Sequence, residues 1–164
     1  MKLRDNHHIV LTTPDIDRCL RFYHDVLSME AHEKDGQICL YFGSCEITLK
    51  KGLTDFTPST VRMGIINLCL ITDDPMEDVL RELEERHAPL VTGIVDRNGA
   101  RGPMKSIYLI DPDGNFIEIA RYADKTLRKK PHFIDEDELA SECARPVLLG
   151  KEHYDPSSGQ SGFH

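Results

Sequence analysis

Glu118 lies in FIEIA and His8 opens HIVLTT, two ionisable side chains set into otherwise apolar, strand-like sequence. A carboxylate with such neighbours is costly to bury unless it is paired, protonated or bound to a metal ion. An imidazole near neutrality serves as a ligand or carries a proton, although hydrogen bonding to neighbouring backbone is its plainer use. Asn67 in NLCLI, and Thr48 and Lys50 in CEITLK, fall at comparable alternate positions, with Glu46 on the Lys50 face. Arg97, Arg101 and Lys105 flank the glycine-bearing stretch RNGARGP, where basic side chains are placed to clamp a substrate carboxylate or phosphate. Two plainer readings stand beside these: solvated hairpin residues for the three basic groups, and a snorkelling strand-end lysine for Lys50.

The elements that must position these residues occur twice. The segment 8–49 reads strand, amphipathic helix, then short strands, and 67–120 repeats that order. The openings HIVLTT and NLCLIT match, as do the closing hairpins ICLYFGSCEITL at 38–49 and IYLIDPDGNFIEI at 107–119. Apolar residues recur at helical spacing in both copies: Ile16, Cys19, Leu20, Tyr23 and Leu27, then Met76, Val79, Leu80, Leu83 and His87. A repeat of this length is a supersecondary unit, and two such units are expected to bury their sheets against each other around a shared cleft. In the first copy strands are predicted over 7–13, 29–32, 38–42 and 46–50, with a helix from Pro14 and Asp15 to about Leu27. In the second, strands are predicted over 65–71, 90–96, 105–110 and 116–121, with 97–103 a loop and DPDGN a turn. Asp73 or Asp74 is expected to cap the second helix, with Pro75 at its first position.

Side chains alternate along a strand, so each strand has a helix-packing row and a cleft row. With Ile9 and Leu11, Ile47 and Leu49, Leu68 and Leu70, and Ile117 and Ile119 packed under the helices, the cleft receives His8, Glu46, Thr48, Lys50, Asn67, Cys69 and Glu118. Tyr41, Phe42 and Tyr108 either wall that cleft or pack the core.

Composition narrows the class. Hydrophobic residues make up 40% and charged residues 29% of the 164-residue chain, the balance of a soluble globule of one domain or two small modules. A net charge of −8 argues against nucleic acid or an anionic membrane as partner. No apolar run approaches the roughly 18 residues that span a bilayer. MKLRDNHH has charges but no apolar signal core, and five cysteines without a CxxC pair suit a reducing compartment, so a cytoplasmic location is expected. Residues 123–164 have no counterpart in the repeat; one short helix is predicted at 135–143 and disorder at the end.

NHHIVLTTPDIDRCLRFYHDVLSME, followed by a copy ending YLIDPDGNFIEIARY, resembles the vicinal oxygen chelate superfamily of glyoxalase I, extradiol dioxygenases and the fosfomycin and bleomycin resistance proteins. LCLITDDP and VDRNGARGPMKSIYLIDPDGNFIE are similar to stretches of small glyoxalase-domain proteins. The resemblance covers residues 5–122, as modules 5–52 and 64–122. It implies an α+β fold of two paired βαβββ modules forming an open, U-shaped mixed sheet around a divalent metal (Zn, Ni, Mn, Fe or Co), commonly in a homodimer. The family's metal-ligand positions on its first, fourth, fifth and eighth strands fall on His8, Thr48 or Lys50, Asn67 and Glu118. Protonated Lys has no lone pair to give and Asn offers only a weak carbonyl oxygen. Glu46 substitutes if the register differs by two, and His7 if the first strand carries a bulge. The resemblance thus implies a small-molecule lyase or isomerase acting on a substrate with vicinal oxygens, in which His8, Glu118 and a weak Asn67 hold the metal and Glu118 also acts as base. Thr48, Lys50, Arg97, Arg101 and Lys105 are the expected substrate contacts. The rival reading is a metal-free binding protein of the bleomycin-resistance kind, and a third is a scaffold whose cleft is vestigial.

Overall fold

The computed structural model describes residue 1 and residues 8–52, 66–127 and 145–146. The chain divides into two compact units, Met1–Thr57 with Pro131–Tyr154, and Pro58–Lys130 with Asp155–His164.

In the first unit β1 (His8–Thr13) leads into helix α1 (Ile16–Arg21), followed by β2 (Glu30–Lys34), β3 (Gln37–Phe42) and β4 (Cys45–Lys51). The Thr13 hydroxyl bridges the Asp15 carbonyl and amide, and the Arg18 amide donates to Asp15 Oδ1 at 3.1 Å, so Asp15 caps α1 as its residue type favours. The helix does not stay regular to Leu27: Phe22–Val26 widens into a π-helical turn. That extra residue per turn lets adjacent Phe22 and Tyr23 both bury completely, edge to face at 5.0 Å, and shifts the buried row from Leu27 to Val26. Strict helical spacing therefore misplaces the end of this helix. The sheet order is β1-β4-β3-β2, with β1 parallel to β4 and the rest antiparallel. Backbone of residues 145–146 (β9) pairs with the outer edge of β2. The predicted helix at 135–143 and His7 lie outside the described residues.

The second unit repeats the plan with β5 (Asn67–Ile71), α2 (Met76–Glu85), β6 (Val95–Gly99), β7 (Gly102–Ile110) and β8 (Phe116–Tyr122), in the order β5-β8-β7-β6. The parallel pair again joins first strand to last. Each unit is built on four strands of mixed sheet with one main helix, the first sheet extended by β9, in the α+β class expected from the duplication.

Four local expectations are corrected. Pro75 itself is the N-cap of α2 and makes no side-chain capping bond, while the Asp74 amide is held by the Thr72 hydroxyl; Glu77 and Asp78 in the first turn complement the helix dipole instead. His87 lies beyond the helix end, exposed and at φ 54, rather than on the apolar face. The strand expected at 90–96 begins only at Val95. Ahead of it Leu90 makes an isolated bridge to Leu109, and the Val91 and Thr92 amides both donate to the Tyr108 carbonyl. The stretch 97–103, expected as a loop, is mostly ladder: Gly99 pairs with Gly102 and leaves a two-residue turn. A Cβ at Gly99 would meet Met104 Sδ at 2.7 Å and the Tyr122 hydroxyl at 3.0 Å, so a larger residue there must displace those two side chains.

DPDGN is a turn, as expected, and holds itself together. Buried Asp111 accepts from the Asp113 and Asn115 amides and from Asn115 Nδ2 at 2.7–2.9 Å, with Gly114 at φ 86. Asn115 Oδ1 then accepts from the Ile66 amide, tying the turn to the start of β5.

Candidate functional site

Alternation along β8 buries Ile117 and Ile119 against α2's side of the sheet and turns Glu118 to the other face. The ladders set Cys69 and Tyr108 directly beside Glu118, and Asn67 beside Phe116. These side chains, with Leu68, line a pocket of about 260 Å³ within the second unit. Glu118 is half-buried there, and its Oε1 accepts a 2.6 Å hydrogen bond from the hydroxyl of fully buried Ser106. That is the length of a strong charge-assisted bond. Burial first, then the charge and hydrogen bond of Glu118, push the Cys69 thiol up to about 11, so it is neutral at physiological pH.

Tyr108 is fixed from its far side. Arg97 Nε donates to its hydroxyl at 3.1 Å, and the guanidinium carbon lies 5.2 Å from the ring centroid. Arg97 thus attaches to a residue of the pocket wall. Lys105 alternates to the opposite face of β7 and pairs with Asp96 at 3.0 Å; Arg101 is exposed in the β6–β7 turn.

In the first unit the same ladder positions carry other groups. His8 is exposed and stands opposite Glu46; Val10 stands opposite buried Thr48, and Thr12 opposite exposed Lys50. Thr48 donates its hydroxyl to Glu46 Oε1 at 3.2 Å, and Tyr41 is the β3 partner of Glu46. Burial, then the Glu46 charge, push both the Tyr41 phenol and the Cys39 thiol upward. The Tyr41 hydroxyl is buried with no hydrogen-bond partner of good geometry among the described residues, and its ring meets His32 edge-on at 5.6 Å. The two ladders share one register, so Thr48, opposite Val10, stands in the place of Glu118, opposite Cys69, while Glu46, the ladder neighbour of His8, stands in the place of Phe116.

Among the described residues no three His, Cys, Asp or Glu side chains gather into one ligand group. In the first unit His8 and Glu46 present an imidazole and a carboxylate, and in the second Glu118 and Asn67 present a carboxylate and an amide oxygen. Those are donors a borderline divalent cation accepts, so the residue types fit one. Ser106 was not singled out by the sequence. A lone small hydroxyl in the inward row of KSIYLI, diagonal to the carboxylate, was the available signal. Among the described residues no helix is long and apolar enough to cross a membrane.

The sequence model of the Glyoxalase/Bleomycin resistance protein/Dioxygenase superfamily matches residues 6–119. Virulence protein STM3117 of Salmonella typhimurium is 42% identical over 118 residues, covering 70% of this chain and 82% of that one. Glyoxalase domain-containing protein RDO1 of Mycosarcoma maydis is 34% identical over 126 residues, 76% of this chain and 72% of that one. The crystal structure of the Salmonella protein superposes with a TM-score of 0.67 at 38% identity, over 75% of this chain and all (100%) of that one. Lactoylglutathione lyase from Agrobacterium tumefaciens shares the fold alone, with a TM-score of 0.56 at 20% identity over 73% of this chain and 95% of that one. With repeat, strand order, inward carboxylate and sequence all in agreement, the chain belongs to the glyoxalase/bleomycin resistance protein/dioxygenase superfamily.

Proposed function

We propose that the chain is a metal-dependent lyase or isomerase acting on a small molecule that carries two neighbouring oxygens. The observation that carries this reading is Glu118: a half-buried carboxylate lining a small pocket, one oxygen held by Ser106. His8, Glu118 and the Asn67 carbonyl would hold the cation, with Glu46 a further carboxylate beside His8. A divalent cation in such a set (Zn, Ni, Mn, Fe or Co) supplies Lewis acidity toward a developing enolate. Glu118 serves as the base: it takes a proton from carbon beside a carbonyl and returns it at the neighbouring position, the pattern of an isomerisation. Arg97, through its hold on Tyr108, is the basic residue best supported as a substrate contact. Residues 5–122 form the working domain, as a homodimer in the cytoplasm. Family likeness supports the first two points, and unbridged Cys39, Cys45 and Cys69 support a reducing compartment.

Untagged protein purified without chelator should retain a stoichiometric divalent metal, measured by elemental analysis, and His8→Ala and Glu118→Gln should each abolish retention. Metal surviving both substitutions overturns the ligand assignment. No uptake even after soaking overturns metal dependence.

Asn67 and Lys50, at two of the four family ligand positions, favour a second reading: a metal-free small-molecule binding protein of the bleomycin-resistance type. It predicts thermal shifts with small hydrophobic or carboxylate compounds and none with cations.

A further inference from the structure

The geometry points to Ser106 as the positioning residue for Glu118: its hydroxyl fixes one carboxylate oxygen and so sets the bearing of the carboxylate in the pocket. Ser106 is fully buried in mid-β7, opposite Ala120, which places it diagonal to Glu118 across the ladder. Its Oγ donates to Glu118 Oε1 at 2.6 Å. The terminal torsion of a Glu side chain is broad, so an unrestrained carboxylate would sweep the pocket rather than hold one bearing. A donor on a rigid central strand removes that freedom, and its own position is over-determined because Ile107 beside it and Ala120 across from it are also fully buried. In the first unit the matching place relative to Glu46 is held by buried Cys39, opposite Thr48, whose thiol is a weaker donor than a hydroxyl, and Glu46 takes a longer 3.2 Å bond from Thr48 on its own strand. A buried hydroxyl on the neighbouring strand therefore distinguishes the carboxylate of the second unit.

This inference rests on the reading of Glu118 as a cation ligand, and the experiment separates the two. Titrate full-length wild type, Ser106→Ala, Ser106→Cys, Ser106→Thr and Glu118→Gln with Zn²⁺, Ni²⁺ and Mn²⁺ by calorimetry, and record the melting temperature of each. Loss of an outer-shell partner typically weakens metal affinity about 10- to 100-fold. That loss is expected for Ser106→Ala and Ser106→Cys, with Ser106→Thr restoring affinity through its hydroxyl. Should the added methyl of Thr prevent folding, the Ala and Cys variants still decide: both must lose affinity while remaining folded. Wild-type affinity in Ser106→Ala, with Glu118→Gln inactive in binding, overturns the role of Ser106 and leaves Glu118 a ligand. Affinity that tracks melting temperature across the series, rather than presence of the hydroxyl, also overturns it. Wild-type protein that binds none of the three cations, or Glu118→Gln that binds as wild type, overturns the reading of Glu118 and this inference with it.

Discussion

In the first unit the parallel pair β1–β4 sets His8 against Glu46 and, one step along the same face, Val10 against Thr48. In the second, β5–β8 sets Asn67 against Phe116 and then Cys69 against Glu118. The two ladders share a strand order and a register, yet their carboxylates stand one pair apart. The first sits beside an imidazole and a threonine hydroxyl on its own strand. The second sits beside a thiol and takes its hydrogen bond from a buried serine on the next strand. Duplication thus supplies equivalent sockets, and single substitutions decide which socket carries charge.

The sharpest way to break this comparison is to neutralise each carboxylate in turn. Glu118→Gln is expected to abolish metal retention, whereas Glu46→Gln reduces affinity and leaves retention measurable; equal losses would show the two sockets to be interchangeable. The turns that feed the ladders come next. Asp111 is buried and accepts three hydrogen bonds, so Asp111→Ala should cost about 3 kcal/mol of unfolding free energy. Ser44, in the corresponding turn of the first unit, is exposed, and Ser44→Ala should stay within about 0.5 kcal/mol in the same denaturant titration.

Alkaline pH separates the units more gently. Folding raises the Tyr41 phenol from an ordinary value of 10.0, so its neutral form is stabilising below pH 10 and that contribution is lost as pH rises above it. Tyr41→Phe should flatten this part of the stability profile and leave stability at pH 7 unchanged or slightly raised, because it also removes a buried hydroxyl with no partner of good geometry among the described residues. In the second unit the corresponding loss belongs to Cys69, between its ordinary 9.0 and about 11. Glu118→Gln removes the neighbouring charge, lowers that value and should speed iodoacetamide labelling of Cys69 at pH 8.5, read by mass spectrometry. The smallest effect is expected at the exposed Lys105–Asp96 pair, where Lys105→Ala should change stability by less than about 0.5 kcal/mol.

Much of the fold was legible because its signals are local. Alternation in HIVLTT and FIEIA identified the two faces, and the Asp and Gly of DPDGN identified a turn that proved to close on itself. The errors lie where tertiary packing overrides a local rule. Two adjacent aromatics, Phe22 and Tyr23, both bury and force the π-helical turn. Thr72 rather than a neighbouring aspartate takes the Asp74 amide, and the glycines of RNGARG extend a hairpin instead of opening a loop. At the candidate site the sequence singled out Glu118, Asn67 and Tyr108, which line one pocket. It missed Ser106, whose role depends on a diagonal across two strands that no single-strand pattern displays.

The hydrogen bond from the Ile66 amide to Asn115 spans 49 residues, and β5 meets β8 through that long closure while β6, β7 and β8 join by short hairpins. Distant pairing forfeits more chain entropy than a hairpin, so β5 is expected to dock last in this sheet and to leave first, carrying Asn67 and Cys69 with it. The pocket wall in this half is then complete only in the finished sheet, and amide exchange should report transient undocking of β5 while the three-stranded meander persists.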